Sequence, residues 1–222
     1  MLSFLSLLDL TALAVFAACW AGYALVVDRV PAVRARSVLV AMDAHRLRWL
    51  RSATGRDNRI PDVAVVGNLM ASTSFLANTA IFILGGLLAL LASPEVGRRV
   101  LAAMPWGGSD LSDGAWEARI LLLLFIFIRA FFELTWALRQ FNYGSILIGG
   151  MPKDEAAATA PTKVVNRAAR HFNTGLRAYY FGLAALTWIV HPVALMLTSA
   201  VVVAELARRE FRSHVLDALT GP

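Results

Sequence analysis

A chain of 222 residues that is 58% hydrophobic and only 16% charged carries more apolar side chains than a soluble domain of this length needs. Its single cysteine excludes an intrachain disulfide framework. The net charge of +6 sits in connections between apolar runs, where it orients a membrane protein and meets lipid headgroups rather than nucleic acid.

The first apolar run, Leu10–Val27, lies between Asp9 and Asp28. The preceding residues hold no Lys or Arg, so a retained anchor is expected rather than a cleaved signal. Ala14, Ala18 and Gly22 form a ladder for close helix packing, and Cys19 reads as a small packing residue. The stretch 36–52 then has the look of an amphipathic helix, with Leu39, Met42, Trp49 and Leu50 near one face. Such a helix would lie at the membrane surface or dock onto its own bundle.

The second run, Val63–Pro94, carries Asn68, Ser72, Thr73, Ser74, Asn78 and Thr79. Asn68, Ser72 and Thr79 share one helical face, and Asn78 adjoins it. Residues of this kind join helices or line a wet path. The connection 94–117 reads as external, and its Asp110 and Asp113 fall short of a calcium loop. The third run, Ile120–Leu138, is broken only by Arg129 and Glu133. A charge at the bilayer centre costs roughly 2.5–3.5 kcal/mol on lenient scales. Their i, i+4 spacing predicts one shared face, turned from lipid. The fourth run, Ala178–Ala204, lies between Arg177 and Glu205 and contains His191-Pro192.

Each run reaches the roughly 18–20 residues that cross a bilayer of about 30 Å. The expected fold is all-α: a single domain over 1–222, with transmembrane helices over about 10–27, 63–93, 119–138 and 178–204. A cytoplasmic amphipathic helix over about 36–52 joins them. The arginine-rich connections 28–62 and 139–177 belong in the cytoplasm of a multi-pass cell-membrane protein, the inner membrane if bacterial. Four crossings would export the tail with Arg208, Arg209 and Arg212. A break at His191-Pro192 would instead make a hairpin and keep it inside.

Counting residues from the span ends places Asn78, Arg129, Glu133 and His191 in one midplane layer. Such a layer fixes helix register, or it forms a site for an ion, proton or solute. A histidine beside Glu133 would relay protons, because its charge changes near neutral pH. Arg139 and Asn142 at the end of the third span, with Arg170, Asn173 and Arg177, would anchor aromatics at the interface or build an inner mouth. No metal cluster, phosphate loop or nucleophile elbow appears, so no enzyme, metal or cofactor is expected.

The runs Arg139–Gly150, His171–Phe181 and Asn68–Ala80 resemble a widespread family of small membrane proteins, the domain-of-unknown-function family 599. The resemblance covers nearly the whole chain and implies a helical membrane domain, with no assigned catalytic or binding residues. Two functions are expected from the residues. One is a homo-oligomeric channel or transporter whose path is lined by Asn68, Ser72, Asn78, Thr79, Arg129 and Glu133, tuned by His191. The other is a scaffold that holds anionic lipid or a partner protein through its basic cytoplasmic surface. A lipid-modifying enzyme is a third and weaker expectation.

Overall fold

A computed structural model describes residues 5–103 and 112–220 of the chain. α1 (Leu7–Arg29) opens on a capping box: the Asp9 amide donates to Ser6 Oγ at 3.1 Å and the Ser6 amide to Asp9 Oδ2 at 3.1 Å. After the single turn α2 (Pro31–Arg34), Ser37 caps α3 (Val38–Thr54), close to the expected amphipathic helix. α4 (Ile60–Ala92) and α6 (Asp113–Gly149) have 33 and 37 residues, about 50 and 55 Å of helix. α5 (Pro94–Ala102) follows α4. A 3-10 turn (Glu155–Ala158) leads into α7 (Thr159–Leu186). α8 (Pro192–Phe211) and α9 (His214–Thr220) complete the described chain.

α1, α4 and α6 are long and apolar enough to cross a membrane. The expected fourth span, 178–204, is not one helix. α7 stops at Leu186, Thr187–Ile189 form a 3-10 turn, and His191 is extended before Pro192 starts α8. Proline lacks an N–H and pushes its predecessor out of the helical region, which accounts for the break. The chain then doubles back. Thr187 and Thr198 hydroxyls meet at 2.9 Å, and the Arg209 guanidinium donates to the Tyr180 hydroxyl at 3.0 Å. At its far end α8 reaches α3, where the Leu39 amide donates to Glu210 Oε1 at 3.2 Å. His45 Nε2 in turn lies 3.1 Å from the Leu219 carbonyl oxygen. The C-terminal helices therefore lie at the α3 end of the bundle, as the hairpin alternative requires.

α6 and α7 form the tightest seam. A Cβ placed on Gly175 would lie 2.8 Å from Leu134, and one on Gly182 2.8 Å from the Phe127 ring. Small residues let two backbones approach this closely, and dispersion then holds them. One buried cluster gathers Phe16, Trp116, Phe127, Phe181 and Trp188. A second, toward α3, gathers Leu50, Val66, Phe141, Ile148 and Val165.

Buried charges fasten both ends. Arg119 Nη2 donates to Asp9 Oδ1 at 3.1 Å, Trp188 Nε1 donates to the same oxygen at 2.8 Å, and Arg119 Nη1 reaches the Ile189 carbonyl at 3.2 Å. This joins α1, α6 and the α7–α8 turn. At the α3 end, buried Asp62 accepts from Trp49 Nε1 at 2.7 Å and from Arg56. Trp49 is thus held against the bundle, so α3 docks on its own fold.

Candidate functional site

The Arg129–Glu133 pair forms as the spacing predicts, with Nη2 3.1 Å from Oε1. Its surroundings differ from expectation. The Glu133 side chain is 18% exposed and faces α7, while that of Arg129 is 50% exposed on the outer surface of α6. The histidine at Glu133 is His171, whose Nδ1 lies 2.8 Å from Oε2 and whose ring meets Trp136 edge-on. His191 belongs instead to the α7–α8 turn, where Nδ1 accepts from the Val193 amide at 3.1 Å and caps α8. Counting depth along an unbroken fourth helix misplaced it. Asn78 is exposed on α4, as are Asn68 and Ser72. Ser72 and Thr79 bond to the carbonyls of Asn68 and Phe75 on their own helix. The four-residue layer therefore reduces to Arg129, Glu133 and the unforeseen His171.

The expected inner-mouth residues diverge as well. Arg139 donates to the Tyr143 hydroxyl at 2.6 Å and lies over the Trp136 ring, on the outer side of α6, where Asn142 is exposed. Arg170 reaches across to Asp43 of α3 at 2.7 Å. Arg177 holds Asp28 at the end of α1 at 2.8 Å. Asn173 donates to the Ala169 carbonyl at 3.0 Å.

What these helices do border is a half-open cavity of about 440 Å³ between α3, α4, α6 and α7. Its walls are Met42, Trp49, Leu69, Phe141, Val165 and Phe172. Ser72 and Asn173, both singled out in the sequence, border it, together with His45 and Arg46. Arg46 Nη1 donates to Asp43 Oδ1 at 3.0 Å and to Asn166 Oδ1 at 3.3 Å. Burial pushes the Arg46 guanidinium below its ordinary pKa, and the Asp43 carboxylate opposes that. An arginine stays cationic under such a shift, so a largely apolar chamber is bordered by one cation, which is paired with Asp43.

Sequence reasoning missed this chamber because four separate helices build it. The signal it left was the pairing of Met42 and Trp49 on one face of α3, four residues before and three after Arg46. Among the described residues, no group of three or more His, Cys, Asp or Glu side chains is placed to hold a metal ion. Asp110 lies outside the described residues.

A family model described as "Protein of unknown function, DUF599" matches residues 11–215. The chain belongs to this family. No curated protein and no solved structure matches it. The DUF599 match runs from within α1 to the start of α9, and so takes in every helix that lines the cavity.

Proposed function

We propose that this DUF599 protein is a multi-pass membrane protein that captures an anionic amphiphile, an apolar chain with a negatively charged head, in the chamber beneath α3. The observation that carries this reading is the chamber's chemistry: aromatic and aliphatic walls with Arg46 at one side. Apolar pockets with a few fixed polar groups are the usual form of small-molecule sites. Val65 and Leu69 border the chamber and are also exposed on α4, which gives an acyl chain a route from the bilayer. On this reading the arginines of 28–62 favour the cytoplasmic side of the membrane for α3, and with it α9. On this reading α7 and α8 form a further hairpin beside the three long spans.

The test is extraction and mass analysis of lipids that stay with the protein after exhaustive detergent exchange. An acidic amphiphile retained by the wild type, and lost from Ala169→Phe and reduced in Arg46→Gln at matched folding, supports the proposal. Equal retention by the wild type and Ala169→Phe overturns it.

A channel or transporter formed between copies is the second reading, and one observation favours it. Asn68 and Asn78 are exposed on α4 among exposed Leu69, Phe75, Ile81 and Phe82. Amides on a lipid-facing surface call for a protein partner or water. Ion flux into proteoliposomes, lowered by Asn78→Leu, would carry that reading over the first. No flux above empty vesicles would remove it.

A further inference from the structure

On the other side of α7 from the chamber, α6 and α7 border an open groove of about 580 Å³. Lys163, Arg167 and Arg170 reach it from α7 and no carboxylate lines it. Lys163 and Arg167 stand four residues apart, one above the other on the helix. Among the described residues neither makes an ion pair. Arg170 is already engaged by Asp43.

Gln140 gives the groove its second, independent mark. It is 6% exposed, lines the groove, and its buried Oε1 has no hydrogen-bond partner. A buried amide left unpaired costs free energy, so native folds rarely keep one without a use. That oxygen is an acceptor, so it is the other end of the carboxamide, the NH2 group, that can donate to a group in the groove. Trp136 and Tyr143 border the same groove and are exposed, as aromatics at a headgroup boundary are.

We infer that this groove binds a phosphate group, held by Lys163 and Arg167 with the Gln140 NH2 as a further donor. Two cations without counter-ions among the described residues and a carboxamide NH2 beside them match an anion with several acceptor oxygens. A carboxylate has fewer oxygens to meet all three. The phosphate is either the head of a lipid such as phosphatidic acid or a soluble phosphate ester. None of these residues except by neighbourhood belongs to the chamber, so this inference stands or falls apart from it.

The experiment uses the full chain in phosphatidylcholine nanodiscs. One arm adds phosphatidic acid to the discs and counts bound lipid by native mass spectrometry. The other adds glycerol 3-phosphate to the solution and reads binding calorimetrically. The variants are Lys163→Gln/Arg167→Gln and Gln140→Leu, with Arg34→Gln/Arg36→Gln as a control that removes the same charge elsewhere. We expect the first variant, which loses two charge-assisted contacts, to bind about a hundredfold more weakly. Gln140→Leu should bind more weakly too, while its ligand-free melting temperature stays level or rises, because an unpaired amide is gone. Binding to phosphatidic acid alone assigns the site to a lipid head, and binding to both assigns it to phosphate esters generally. Unchanged binding in both groove variants, or an equal loss in the control, overturns the site. So does a Gln140→Leu protein that melts lower and binds as the wild type does.

Discussion

Arg119 and Asp9 meet at 3.1 Å although 110 positions separate them, and both side chains are buried. Their contact sets where α1 lies along α6. Removing one partner strands the other, at a cost of about 3–5 kcal/mol for a buried pair. Arg119→Met should therefore unfold at clearly lower denaturant than the wild type. The double variant Asp9→Leu/Arg119→Met should recover more than half of that loss, since a pair of apolar side chains leaves no charge behind. Equal instability of the single and double variants would show that the pair has no such role.

The α6–α7 seam gives a steric prediction. Gly175→Ala puts a methyl group 2.8 Å from Leu134 Cγ and 3.4 Å from the Ala130 carbonyl oxygen. Overpacking of this order costs about 1–3 kcal/mol. Gly85→Ala on α4, where a Cβ meets nothing within 4 Å, should change the thermal midpoint little. Thermal unfolding in one detergent compares the two directly.

Arg129 and Glu133 should respond differently to removal. Glu133 joins α6 to α7 through His171, so Glu133→Leu should lower thermal stability. Arg129 is half exposed and, among the described residues, bonds only to Glu133, so Arg129→Leu should melt within about 0.5 kcal/mol of the wild type or above it. A large loss in Arg129→Leu would mean that its exposed side is covered by another chain.

Sidedness is open to a labelling test. In a Cys19→Ala background, Ser52→Cys and Thr220→Cys should react with an impermeant thiol reagent from one side of the membrane. Ser93→Cys should react from the other. The basis is the pair of contacts from α3 to Glu210 and Leu219. Labelling of Ser52→Cys and Thr220→Cys from opposite sides would contradict the α7–α8 hairpin.

Hydrophobic length made α1, α4 and α6 readable, and the mixed face of 36–52 announced α3. The Arg129–Glu133 bond was readable too, because helical spacing alone creates it. The turn at Thr187–His191 escaped a hydropathy reading, since Trp188, Ile189 and Val190 are as apolar as a helix through lipid would be. The only mark of the break was Pro192. Once that span divides, counting depth along it fails, and His191 goes to the turn. His171 takes the place beside Glu133 because α7 runs back along α6, and 38 positions of chain carry no sign of that meeting. The chamber was hidden for the same reason, with walls drawn from segments that sequence order keeps apart.

Two of the contacts that hold α3 come late in the chain. Glu210 and Leu219 lie 171 and 174 positions beyond the α3 residues they hold. A ribosome therefore delivers all four helices that border the chamber before these two contacts can form. During synthesis the chamber passes through a stage in which one edge of α3 is unfastened.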